Sequence, residues 1–68
     1  MVESKQFFVT TDRNRKAEIV GHGVCDMIGG ICSQHEYYSV NHHGSAEKTK
    51  ALATAECTRL NAARKAGG

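Results

Sequence analysis

Proline and tryptophan are absent from the chain, and bulky apolar residues are few: two phenylalanines, two tyrosines and two leucines in 68 residues. Without proline, nothing breaks the long C-terminal stretch as a helix. The shortage of large side chains bounds the core. A chain this short buries only about 60% of the surface it exposes when unfolded. A single domain over residues 1–68 therefore invites reinforcement by a second copy, a metal or a disulfide. No apolar run approaches ~18 residues, which excludes a membrane-spanning helix. The N-terminus MVESKQFFV lacks the apolar core of a signal peptide, so a cytoplasmic location with reduced cysteines is expected. Neither sign of charge dominates, with nine Lys and Arg against seven Asp and Glu. The formal net charge is +2 with no polybasic run, so electrostatics alone names no partner.

What the chain does have is a C-terminal third rich in Ala, Leu, Glu, Lys and Arg, read as a helix over about 45–65. Ser45 supplies an N-cap oxygen, Glu47 suits the positive end of the helix dipole, and Arg64 and Lys65 suit the negative end. At 100° per residue Thr49, Leu52, Ala53, Leu60 and Ala63 share one side. Lys50, Thr54, Thr58, Asn61 and Lys65 share the other and are expected to face water. Glu56 interrupts the apolar side and is expected at its edge or meeting Arg59 one turn on, the functional alternative being a buried carboxylate with a raised pKa. Ala51, Ala55 and Ala62 form a second, shallow strip that allows close approach by a strand of this chain or a helix of another copy.

Before the helix, aromatic and β-branched residues mark strands over about 5–11, 16–20 and 35–41. Asp12 to Arg15 reads as a hairpin turn between the first two. Gly21-His22-Gly23 interrupts the strand pattern and suggests a bulge or a close backbone approach. Residues 24–34 admit two readings. One is a hairpin across Gly29-Gly30, with Cys25 facing Gln34 and Met27 facing Cys32; the other is a compact loop. The fold class is α+β: an antiparallel sheet of three strands, with a fourth admitted by the hairpin reading, and one helix packed on a face. Phe7 or Phe8, Val9, Ile19, Tyr38, Val40, Leu52 and Leu60 form the expected core.

Four chemistries compete for the polar residues. Cys25, Cys32, His35, His42, His43 and Cys57 are metal-ligand types, but the paired C-x₂₋₄-C spacing is missing. Ordinary core cysteines and surface histidines account for them, and no metal or other cofactor is expected. Cys32, His35 and Glu36 offer nucleophile and base types without any motif that orients them, so no enzyme activity or small-molecule substrate is expected. Lys5, Arg13, Arg15 and Lys16 cluster about the first hairpin, where charge could meet a phosphate backbone, with Lys48 and Lys50 near the helix start. Tyr37 could stack on a base. The competing reading is a solvated face on a nearly neutral domain.

The favoured expectation is a non-enzymatic binding protein that completes its thin core against a protein partner or a second copy. It would do so through Ala51, Ala55 and Ala62 or an open sheet edge. Chains of this size often serve as accessory factors, regulators or inhibitors, including those carried by phages and plasmids. Nucleic-acid binding is the alternative, and a zinc-stabilised domain the next.

Overall fold

A computed structural model describes residues 6–27 and 30–67. Three strands, β1 (Phe8–Arg13), β2 (Ile19–Asp26) and β3 (Ser33–Ser39), are followed by one helical turn, α1 (Val40–His43), and the long helix α2 (Ala46–Gly67). The strands form one antiparallel sheet in the order β1-β2-β3, so β2 is central and both outer strands are edges. Helix α2 packs on one face, which is the α+β arrangement expected.

The first turn is built around Asn14. Its amide nitrogen donates to Glu18 O (3.0 Å), and its carbonyl accepts from Ala17 N (3.0 Å). Its side-chain Oδ1 accepts from Lys16 N at 2.9 Å and Glu18 N at 3.1 Å. Ala17 sits at φ 64°, the left-handed region. This turn corrects the expected second strand. Lys16 to Glu18 belong to the turn, and β2 begins at Ile19. It then runs unbroken through Gly21-His22-Gly23 rather than stopping there.

The reason lies in the two faces. His22 points to α2, where its Nδ1 lies 2.8 Å from Thr49 Oγ1. Alternation turns Gly21 and Gly23 to the other face. A Cβ on Gly21 would overlap the Tyr37 hydroxyl, and one on Gly23 would lie 2.9 Å from Thr10 Oγ1. The glycines thus allow neighbouring side chains to lie across the strand. They do not end it.

Strand β3 pairs with β2 in the hairpin register, with Cys25 opposite Gln34 and Asp26 opposite Ser33. Part of the expected turn, Ile28 and Gly29, lies outside the described residues. Met27 and Cys32 fall beyond the ladder. The register shifts between Val24 and Cys25, leaving His35 as the extra residue of a bulge. Val40 and Asn41, expected in the third strand, instead enter α1, which Gly44 closes at φ 102° with its N–H on Val40 O at 2.7 Å.

Ser45 caps α2 as expected, its Oγ accepting from Lys48 N at 3.1 Å. The inward side differs from the expected stripe. Thr49 and Ala53 are fully buried, small enough to bring the helix close over Val24. Glu56, Cys57, Leu60, Asn61 and Arg64 are half-buried. Leu52 is 36% exposed and Ala63 is exposed. The stripe is rotated because α2 bonds to the backbone of Phe7. Asn61 Oδ1 accepts from Phe7 N (2.6 Å), and Cys57 Sγ and Asn61 Nδ2 donate to Phe7 O at 2.9 and 3.2 Å. Phe7, Val24 and Ala53 form the buried cluster, with Val9, Tyr38, Cys57 and Leu60 packed against it. Ile19 and Val40 are only half-buried.

Candidate functional site

The face of the sheet opposite α2 is built by alternation from Phe8, Thr10 and Asp12 of β1, Gly21, Gly23 and Cys25 of β2, and Gln34, Tyr37 and Ser39 of β3. No helix among the described residues covers it. Tyr37 lies across Gly21, where a side chain would clash, and its hydroxyl donates to Asp12 Oδ2 at 2.9 Å. The ring therefore spans all three strands while 38% of the residue stays exposed. Loss of hydration, then the hydrogen bond to Asp12 and its charge, push the Tyr37 phenol above its ordinary 10.0. It remains a neutral donor at physiological pH. Phe8 is exposed on the same face. Thr10, Thr11, Asp12, Gln34 and Tyr37 line an open cleft there.

At one end of this face the two cysteines of the β2–β3 connection meet. Cys25 is buried and lies 3.8 Å from Thr10 Oγ1, while Cys32 is exposed. Local desolvation, then the charge and side-chain hydrogen bond of Cys25, then Asp26, push the Cys32 thiol up. Met27 and Ile31, both exposed, lie between the two in sequence.

The helix side holds a cluster that sequence reasoning did not single out. Asp26 is 2% exposed, and its Oδ2 accepts from Arg64 Nη2 at 3.0 Å and lies 3.0 Å from His35 Nε2. The Arg64 guanidinium stacks 4.0 Å over the Phe7 ring, and His35 meets that ring edge-on at 4.7 Å. The cluster joins the chain before β1, the end of β2, the β3 bulge and the last turns of α2. Its members are 9 and 38 residues apart along the chain from Asp26, so no local spacing marks them. The bulge that turns His35 toward Asp26 carries no motif either. Elsewhere on this side Thr49 donates to Ala46 O at 2.9 Å, so its oxygen accepts the Nδ1 proton of His22.

The expected nucleic-acid residues do not share one surface. Lys5 lies outside the described residues. Arg13 donates to Ala17 O at 2.8 Å and borders a shallow hollow on the helix side with His22, Glu47 and Lys50. Arg15 and Lys16 are exposed in the turn, beside Glu18. Tyr37 is on the opposite face, tied to a carboxylate. Glu56 pairs with Arg59 as expected, which holds its carboxyl below the ordinary range.

Ala51, Ala55 and Ala62 are exposed on the outer side of α2. The metal-ligand types are scattered. Cys25 lies on the uncovered face, Cys32 is exposed just beyond the ladder, and His35 is on the helix side. Around α1, His42 meets His43 edge-on, and His43 meets Tyr38. Among the described residues no three such groups converge on a metal position. Comparison with protein-family models, with curated proteins and with solved structures finds no match.

Proposed function

We propose that this chain is a small non-enzymatic binding protein that works by protein contact, as an accessory factor, regulator or inhibitor. Its contact surface is the uncovered sheet face with its free edge β3. One observation carries the reading: the imbalance of buried and exposed apolar groups. Among the apolar side chains of the described residues only Phe7, Val24, Cys25 and Ala53 are buried, while Phe8, Met27, Ile31, Tyr37 and Leu52 are exposed. Such a core gains stability by covering the sheet against another surface. Strand β3, SQHEYYS, is an edge without proline or lysine, the usual deterrents to pairing with a further chain.

Strands of six to eight residues give a face of about 20 by 14 Å at ordinary strand spacings. That is small even for a transient contact, so weak, reversible association is expected. A second copy is the partner that a purified sample supplies. Sedimentation velocity across the micromolar range should show reversible self-association that is insensitive to salt. Phe8→Asp, at an exposed position, should abolish it with an unchanged circular dichroism spectrum. A wild type that stays monomeric throughout that range removes self-association, and unaltered association in Phe8→Asp removes this face as the surface.

A second reading has its own observation. The outer face of the Tyr37 ring is free for stacking, and Arg15 and Lys16 are exposed at the tip of the adjoining hairpin. It requires oligonucleotide affinity that falls steeply with salt and is lost in the Arg13→Ala, Arg15→Ala double variant. The Asp12 carboxylate beside the ring and the position of Arg13 on the other side of the sheet weigh against it.

A further inference from the structure

We infer that Cys25 and Cys32 form a reversible dithiol–disulfide site, with exposed Cys32 as the attacking thiol and buried Cys25 as the resolving one. The inference holds whatever the sheet face docks. The backbone brings the pair together. Cys25 stands opposite Gln34 in the β2–β3 ladder, and Asp26 opposite Ser33. Cys32 lies two residues before Gln34, so alternation sends its side chain to the same side, and it becomes the diagonal neighbour of Cys25 across the hairpin. Cys25 is also among the groups near enough to push the Cys32 thiol up. Between them, Gly30 N donates to Met27 O at 3.1 Å.

Exposure divides the roles. An oxidant in solution reaches Cys32, whereas Cys25, 4% exposed, is reached from Cys32. The third cysteine, Cys57, lies on α2, across the sheet, with its thiol donated to Phe7 O, and takes no part.

The oxidant is a low-molecular-weight disulfide. The Cys32 thiolate, after losing its proton to water, attacks one sulfur of that disulfide. A mixed disulfide forms and one small thiolate leaves. Cys25, deprotonated in turn, attacks the Cys32 sulfur, and the second small thiolate leaves with the electron pair of the broken bond. Two protein thiols and one small disulfide thereby become one protein disulfide and two small thiols, and excess small thiol reverses the exchange.

The test is oxidation of the intact native protein with excess oxidised glutathione, followed by acid quenching and mass spectrometry. The product should weigh about 2 Da less than the reduced protein and keep one of its three thiols. Trypsin does not separate the pair, because no Lys or Arg lies between Lys16 and Lys48. Trypsin followed by cyanogen bromide cleavage after Met27 does, giving fragments 17–27 and 28–48 that carry one cysteine each and should stay joined until reduced. In Cys25→Ser the glutathione adduct should accumulate on Cys32, because the resolving thiol is gone. A wild type that accumulates the same adduct, or that links Cys57 or a second molecule instead, overturns the assignment.

Discussion

Ala17 occupies the left-handed backbone region at φ 64° because the Asn14-centred turn requires it, and alanine meets a steric penalty there that glycine does not. Ala17→Gly should therefore stabilise the protein by about 0.5–1 kcal/mol, read as a higher urea midpoint at unchanged slope. A lower midpoint would mean that the turn is not held in this geometry. Tyr37 gives a residue-scale test in pH. Burial raises its phenol first and Asp12 second. Asp12→Asn removes a negative charge that disfavours the phenolate, so absorbance titration should show Tyr37 ionising at lower pH than in the wild type. A titration unmoved by the substitution would separate Tyr37 from Asp12. Neither contact could be read along the chain. Asp12 and Tyr37 are 25 residues apart, and the turn type depends on hydrogen bonds that Asn14 shares with any Asn in a polar loop. The Glu56–Arg59 pair was legible, because a spacing of three residues on a helix fixes proximity.

Among the elements, α2 was the most readable, since its composition, Ser45 cap and terminal charges all act locally. Its inward face was less so. Helical period locates a stripe, but here polar side chains share it: Asn61, expected in water, bonds both backbone groups of Phe7 just ahead of β1. Those groups have no strand neighbour to serve them, so Asn61→Ala should cost about 1–3 kcal/mol and loosen the start of β1. Amide hydrogen exchange at Phe7 checks it. Unchanged protection there would show that α2 does not anchor the first strand. The second strand was misplaced for a related reason. A glycine pair looks like an interruption unless the overlying Tyr37, Thr10 and Gln34 side chains are known.

For the whole molecule, the fold class followed from pattern: alternating segments, a turn-rich hairpin and one long helix leave few arrangements that bury anything. The surface that stays uncovered was not legible, because it depends on which side of the sheet α2 takes. That choice leaves Phe8 and Tyr37 exposed and keeps Tyr37 apart from Arg13. Binding by protein contact is the central claim. Native mass spectrometry of the purified protein, at tens of micromolar and with and without a short oligonucleotide, tests it most directly. The expected result is a mixture of monomer and dimer that ignores the oligonucleotide. A protein that remains monomeric and gains oligonucleotide at low salt would contradict the claim and move function to the basic hairpin.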